Sequence, residues 1–199
     1  MYSFRNDYSE GAHPKVLQAL ADTNLRQTVG YGMDPCCQAA ADTIRRLCAA
    51  PDAAVHFLVG GTQVNLVTID AFLQSYEAVV AAQTGHVSTH ETGAIEATGH
   101  KVCTVESPDG KLTPALVESV LAGHNGTEHM VLPRMVYISD TTEIGTVYTR
   151  AELAALRQCC DVHGLFLYLD GARLGSALTS PDNDLTLPEL AALTHAFTI

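Results

Sequence analysis

An aspartate and an arginine directly follow an apolar run late in the sequence. Residues 165–169 read LFLYL, which predicts a buried strand, and Asp170 and Arg173 come next within LDGARLGSALT. Gly171 has no side chain, so the backbone there allows close approach of a ligand. Ligands of open α/β sheets bind at the carboxyl ends of the strands. Asp170 and Arg173 are therefore candidates for chemistry; the alternative is a local ion pair that contributes little to stability.

A second candidate is the glycine turn in FLVGGTQVN. The pattern predicts a strand that turns at Gly60 and Gly61 and opens a helix at Thr62. Free N–H groups and the positive end of a helix dipole bind phosphate. The segment has neither a G-x-G-x-x-G nor a Walker A sequence, so neither a dinucleotide nor a nucleoside triphosphate is indicated. The alternative is a plain tight turn between strand and helix.

Histidines and carboxylates crowd the segment GHVSTHETGAIEATGH. His86 and His90 are four residues apart, a zinc-ligand spacing on a helix, and Glu91 lies beside them. The glycines of the segment favour a loop over a continuous helix, and H-E-x-x-H is missing, so we predict no metal here. A histidine after a strand also offers a flat face that stacks on an aromatic ring. Solvated loop histidines are the third interpretation.

Taken together, these groups describe a pocket for a phosphorylated aromatic cofactor. A phosphate turn, a flat histidine, a carboxylate and an arginine all follow predicted strands. A buried carboxylate that faces a ring nitrogen keeps that nitrogen protonated, as pyridoxal phosphate requires to act as an electron sink. Arg173 is then suited to bind a substrate carboxylate with its planar guanidinium.

The composition predicts a globular protein that acts on small molecules. The 199 residues are 47% hydrophobic and 17% charged, with a net charge of -11, which disfavours nucleic acid or an anionic membrane as a partner. No run reaches the ~20 apolar residues of a membrane helix. The six cysteines contain no C-x-x-C, and the sequence opens without a secretory leader, so we expect reduced thiols and a cytoplasmic location.

Alternating strand and helix signals predict a three-layer α/β/α sandwich with a mainly parallel sheet. Two helices are expected first, one behind Pro14 and one behind Asp34 as N-cap. A late helix in LTLPELAALTHAFTI leads into AFTI, which begins a further strand. One domain over 1–199 is the simplest count. The predicted strands are AVHFLV (54–59), EAVVAA (77–82), HKVCTVE (100–106), MVLPRMVYIS (130–139) and GLFLYLD (164–170).

Six sequence motifs occur in a fixed order along the chain: FRNDYSEGAHP, GYGMD, GGTQVN, GHVSTHETGAIE, YISDTTEIGTVY and LDGARLGSALT. With these motifs the chain resembles the threonine aldolases of the β-eliminating lyase group from Tyr2 to Ile199. These are pyridoxal-phosphate enzymes of the aspartate aminotransferase fold, also called fold type I. The resemblance implies this cofactor and a large cofactor-binding domain over 1–199.

The resemblance implies cofactor-binding roles at individual positions. Gly61, Thr62 and Gln63 match the family's phosphate-binding turn. His86 matches the histidine that stacks on the cofactor ring. Asp170 matches the catalytic partner of the pyridine nitrogen.

The resemblance also implies groups that contact the substrate. Arg173 and Asn6 match groups that hold the substrate carboxylate. Arg173 is also expected to bind the cofactor. Tyr31 matches a tyrosine that reaches the site of a neighbouring subunit, so the full-length protein is expected to be a homodimer or homotetramer. Glu91 matches an acid near the active site. His86 or Glu91, directly or through water, is expected to accept the β-hydroxyl proton.

The implied reaction is cleavage of L-threonine or L-allo-threonine to glycine and acetaldehyde. The lysines of this chain are Lys15, Lys101 and Lys111, and none stands at the position of the family's Schiff-base lysine. That lysine follows the strand that corresponds to AFTI, so we expect the chain to end before it and before the small domain. We therefore expect the 199-residue piece alone not to cleave threonine.

Other functions remain open from the sequence. A β-eliminating lyase would release ammonia and differs in its products. A truncated, non-catalytic chain would bind the cofactor weakly or only pair with a full-length subunit. A nucleotide-binding α/β domain rests on fold analogy alone, and the lack of dinucleotide signatures counts against it.

Overall fold

Helices alternate with parallel strands along most of the chain. A computed structural model describes residues 3–124 and 126–199, so Tyr2, where the resemblance begins, lies outside them. None of the helices in this described part has the length and hydrophobicity needed to cross a membrane. The helices are α1 (Pro14–Thr23), α2 (Pro35–Leu47), α3 (Gly61–Phe72), α4 (His86–Thr89), α5 (Ala94–Ala97), α6 (Pro114–Ala122), α7 (Arg150–His163), α8 (Leu174–Thr179) and α9 (Leu187–Leu193). The strands are β1 (Glu77–Ala82), β2 (Lys101–Val105), β3 (Leu132–Ser139), β4 (Phe166–Asp170) and β5 (Ala196–Phe197).

The chain divides into two compact units, Met1–Ala39 and Ala40–Ile199. In the first unit α2 begins as predicted, because the side chain of Asp34 accepts hydrogen bonds from the backbone N–H groups of Cys36 (2.8 Å) and Cys37 (3.0 Å). The α1 helix also forms at its predicted place. A single domain over the whole chain stays a prediction.

The five strands form one parallel sheet in the order β2-β1-β3-β4-β5. The predicted parallel sheet is therefore confirmed, and so is the strand beginning at Ala196. Strand β1 lies between β2 and β3, and every one of its residues is buried. Strands covered on both faces need side chains that are apolar on both faces, which explains the unbroken apolar runs in the sequence.

Helices cover both faces of the sheet, which confirms the three-layer sandwich. Successive side chains of a strand point to opposite faces. On one face, Val80 and Val136 of the strands pack in a cluster with α6, α7, α8 and α9. On the other face, Val79, Met135 and Tyr137 pack in a cluster with α3, α4 and α5.

The prediction of a strand at AVHFLV is wrong. Residues 54–59 do not form a strand, and the side chains of Phe57, Leu58 and Val59 are exposed. The apolar, β-branched composition suggested burial, but the ladder of the described sheet runs only from β2 to β5 and leaves this segment unpaired. The amino-acid composition of a segment shows that it could form a strand, but a strand also needs a neighbouring strand to pair with, which composition does not reveal.

The strand order creates a topological switch point at the carboxyl edge of the sheet. The connection after β1 passes through α4 and α5 on one face, while the connection after β3 passes through α7 on the other. Because β1 and β3 are neighbours, the two connections diverge at the carboxyl ends of these strands. Ligands of doubly wound sheets bind at such a switch point.

Candidate active site

The carboxylate of Asp170 is fixed at the carboxyl end of β4. The residue is only 8% exposed. Its Oδ2 accepts hydrogen bonds from the hydroxyl of Tyr137 (2.7 Å) and from Nδ2 of Asn65 (2.9 Å), and its Oδ1 accepts one from the backbone N–H of Ala172 (3.0 Å). Three uncharged donors thus hold the carboxylate in one orientation without neutralising it.

Asn65 joins two buried carboxylates. Its Nδ2 donates to Oε1 of Glu91 (2.6 Å) as well as to Oδ2 of Asp170, and its Oδ1 accepts a hydrogen bond from the hydroxyl of Tyr168 (2.6 Å). Both amide protons and the amide oxygen are therefore used, which fixes the orientation of the side chain. The two N–H groups of the Asn65 amide suit its position between Glu91 and Asp170, because two neighbouring buried carboxylates need hydrogen-bond donors between them.

His86 begins α4, directly after the turn that follows β1. Its Nδ1 lies 2.8 Å from Oε1 of Glu91, and its backbone N–H donates to Oε1 of Glu143 (2.9 Å). The hydroxyl of Ser139, at the end of β3, donates to the same oxygen of Glu143 (2.6 Å). Glu143 thus holds the backbone of His86 and Glu91 holds its ring, while the side chain remains 36% exposed.

The structure brings together three residues predicted for the site. One ligand atom each of His86, Glu91 and Asp170 lies within 4.8 Å of the other two. The segment after β1 is not a continuous helix, as expected: α4 ends at Thr89, and His90 follows with its ring centroid 5.6 Å from that of His86. The absence of a metal here stays a prediction.

Gly60 and Gly61 leave the N-terminus of α3 open. Gly60 has a φ of +81°, a backbone conformation that favours glycine. A Cβ placed on either glycine would meet no atom within 4 Å, so open space lies in front of the first turn. The side chain of Gln63 accepts a hydrogen bond from the backbone N–H of Val59 (2.9 Å). The N–H groups of a first helical turn have no partner within the helix and are available to an anion.

Three further residues were predicted to contact the substrate: Asn6, Tyr31 and Arg173. In the first unit, Oδ1 of Asn6 accepts a hydrogen bond from the hydroxyl of Ser9 (2.6 Å), and Tyr31 is fully exposed with a φ of +64°. In the second unit, Arg173 is the N-cap of α8, and its carbonyl accepts a hydrogen bond from the N–H of Ala177 (3.1 Å). Their contacts with substrate stay predictions.

Sequence reasoning missed the residues that surround Asp170 and Glu91. A signal for Asn65 exists: it lies four residues before Ile69 on the buried face of α3, and a polar residue on such a face needs a partner. Tyr137 and Tyr168 gave no signal, because aromatic residues in apolar strands are ordinary core residues. Glu143 lies within the motif YISDTTEIGTVY, but its contact with His86 depends on the fold.

Both tyrosines of the site remain hydrogen-bond donors at neutral pH. Burial, with the charge of Asp170 as the next cause, raises the pKa of Tyr137 and of Tyr168 above the ordinary value of 10. Their phenol groups therefore keep the protons with which they donate to Asp170 and Asn65.

A third buried carboxyl group, that of Asp140, lies beside those of Asp170 and Glu91. Asp140 follows β3 and is 2% exposed, and its backbone N–H donates to the carbonyl of Asp170 (3.1 Å). Burial raises the pKa of its side chain from 3.8 to about 6. The native state then holds this proton more tightly than the unfolded state does. Stability contributed by protonated Asp140 is therefore lost as the pH rises from about 4 to about 6.

We expect exchange of Asp140 for Asn to remove this pH dependence. Between about pH 4.5 and pH 7, the free energy of unfolding of the unchanged chain should fall relative to that of Asp140→Asn by on the order of 2 kcal/mol. Urea unfolding of both proteins at each pH measures the difference in the free energy of unfolding. Groups that titrate equally in both proteins do not contribute to this difference. Parallel pH profiles of the two proteins would contradict the assignment.

Known proteins resemble this chain in sequence and in fold. A family model described as β-eliminating lyase matches residues 4–192. A low-specificity L-threonine aldolase from Pseudomonas sp. (strain NCIMB 10558) is 37% identical over 176 residues, which are 87% of this chain and 50% of that protein. The structure of a threonine aldolase from Leishmania major has a TM-score of 0.98 and 57% identity, and the match covers 100% of this chain and 58% of that one.

A more distant match concerns the fold alone. An aminotransferase from Mycobacterium tuberculosis has a TM-score of 0.61 at 20% identity, and the match covers 89% of this chain and 48% of that one. The chain spans about half the length of the relatives that it matches. The predicted family and fold are confirmed, and the chain belongs to the β-eliminating lyase family, whose threonine aldolase members are pyridoxal-phosphate-dependent lyases.

Proposed function

We propose that the whole protein cleaves L-threonine and L-allo-threonine to glycine and acetaldehyde with pyridoxal phosphate as cofactor. The observation that carries the proposal is the hydrogen-bonded series His86, Glu91, Asn65 and Asp170 at the carboxyl ends of β1 and β4. The names of the relatives supply the substrate, because those from Pseudomonas are low-specificity L-threonine aldolases.

The residues at the carboxyl edge of the sheet fit pyridoxal phosphate. The open N-terminus of α3 at Gly60 and Gly61 suits the phosphate, and the half-exposed ring of His86 suits stacking. Oε2 of Glu91 is buried and has no hydrogen-bond partner among the described residues, so the site contains an unsatisfied acceptor that faces no protein donor. Asp170 supplies the carboxylate for the ring nitrogen.

Asp170 holds the proton on the ring nitrogen in this proposal. Its carboxylate keeps lone pairs beyond those used by Tyr137, Asn65 and Ala172, since two carboxylate oxygens offer about four acceptor sites. The bound cofactor supplies an electron sink for the electrons of the Cα–Cβ bond. A negative charge held in a buried position favours the protonated ring nitrogen on which that property depends.

His86 is the proposed base, and Glu91 orients it. Oε1 of Glu91 accepts hydrogen bonds from Asn65 and from Nδ1 of His86. A carboxylate cannot donate, so Nδ1 carries the proton and Nε2 is the basic nitrogen. Nε2 then accepts the β-hydroxyl proton of the substrate while Cα–Cβ cleavage proceeds. The backbone tether to Glu143 keeps the imidazole at its place.

Substrate and assembly contacts complete the proposal. Arg173 and Asn6 bind the substrate carboxylate, and Tyr31 acts in the site of a neighbouring copy. The first unit exposes large apolar side chains, among them Phe4 and Leu25, which supports a homo-oligomer that covers them. All cysteines of the chain are free thiols, which supports a reducing, cytoplasmic location.

Product analysis of the whole protein tests the function. With pyridoxal phosphate and L-threonine, we expect acetaldehyde and glycine in equal amounts and no ammonia, measured by coupled aldehyde reduction and amino-acid analysis. The second candidate is β-elimination, which the family name favours. Elimination would give ammonia and a keto acid without glycine, and that result would overturn the proposal.

A further inference from the structure

A cluster of metal-ligating side chains lies on the opposite side of the sheet from α3. Glu118 of α6 and Cys159 and His163 of α7 each offer one ligand atom, and the three atoms lie within 4.8 Å of one another. The helices bring them together because Val117 of α6 and Leu156 of α7 pack in the same core cluster. None of these three side chains takes part in the proposed reaction.

The spacing along α7 directs two ligands to one side of the helix. Cys159 and His163 are four residues apart, so their side chains lie on the same face, one turn apart. Cys159 is buried beneath the surface at 7% exposure, whereas the side chains of His163 and Glu118 are 36% and 59% exposed. The sulfur therefore approaches from the protein side, and the nitrogen and oxygen from the solvent side.

We propose that Glu118, Cys159 and His163 bind one zinc ion, with water as the fourth ligand. Nε2 of His163 and Oε1 of Glu118 are 3.6 Å apart, too far for a hydrogen bond and close to the ligand–ligand separation of a tetrahedral zinc site. Thiolate, imidazole and carboxylate together favour zinc over magnesium or calcium, which prefer oxygen ligands alone. The bound ion links α6 to α7.

Cobalt titration of the full chain tests the site. Co²⁺ replaces zinc and reports a bound thiolate through an intense near-ultraviolet charge-transfer band. We expect one equivalent of Co²⁺ to bind with this band and Zn²⁺ to displace it. Metal bound at His86, Glu91 and Asp170 would give no such band, because that group contains no sulfur. A cobalt complex without the band would overturn the proposal.

Single exchanges identify the ligands. Cys159→Ser should abolish the band, and the matched exchange at the exposed Cys36 should leave it unchanged. Loss of groups that merely orient ligands weakens binding about 10- to 100-fold, so Glu118→Gln and His163→Gln should each weaken zinc binding at least about tenfold in competition with a chromophoric chelator. Both side chains are partly exposed, so these variants test the site even where Cys159→Ser fails to fold. Unchanged zinc affinity in both would refute it.

Discussion

Exchange of Asp170 for Asn should lower the rate of threonine cleavage by about 100- to 1,000-fold. The carboxylate charge that favours a protonated ring nitrogen is lost. The amide also fits badly: Oδ2 accepts from Tyr137 and Asn65, whereas Oδ1 accepts from the N–H of Ala172. An amide NH₂ therefore faces another donor in either orientation. Steady-state kinetics of the whole protein measure kcat, and the absorption spectrum measures cofactor retention.

The matched control is Asp182→Asn, which makes the same chemical exchange at an exposed position of the second unit. Its kcat should stay within about twofold of the parent, because surface changes away from such a network have small effects. If Asp170→Asn retained more than a tenth of the activity, the role proposed for the carboxylate would be wrong.

Exchange of Asn65 for Asp should lower the free energy of unfolding by about 3–5 kcal/mol at neutral pH. The change places a third carboxyl group between Glu91 and Asp170 and removes the only N–H donors that Asn65 offers them. An acceptor-only group then faces two acceptors in a position that is 1% exposed. Urea unfolding of the chain, followed by circular dichroism, measures the loss.

Two further measurements make this result specific. Asn24→Asp makes the same exchange at an exposed position, the C-cap of α1, where a negative charge opposes the helix dipole, and should lower the free energy of unfolding by no more than about 1 kcal/mol. Because protonation relieves repulsion among carboxylates, the penalty of Asn65→Asp should shrink as the pH is lowered toward 4. A penalty that is equal at both pH values would mean that electrostatic repulsion is not its cause.

The sequence predicted those features that depend on local pattern. The apolar run before Asp170 predicted β4 and the place of the carboxylate at its end, and both are found. Glycines in the segment after β1 correctly predicted an interrupted backbone around His86. Such signals are local because a strand end or a turn depends on the few residues that form it.

Pairing and side-chain partners could not be predicted in the same way. Residues 54–59 have the composition of a strand but no neighbouring strand in the described sheet. The bridge made by Asn65 depends on where α3 lies over the sheet. Two of its three partners, Asp170 and Tyr168, come from β4. No sequence pattern within α3 or within β4 shows that these two elements contact each other.

The bridge also has a consequence for folding kinetics. Asn65 is 105 residues from Asp170 and 103 residues from Tyr168 along the chain. Loops of that length must close, and the crossovers of the parallel sheet must form, before these hydrogen bonds can offset the conformational entropy that is lost. We therefore expect these hydrogen bonds to form late in folding. A fragment that lacks either α3 or β4 cannot form them, so these hydrogen bonds report on the docking of α3 against β4.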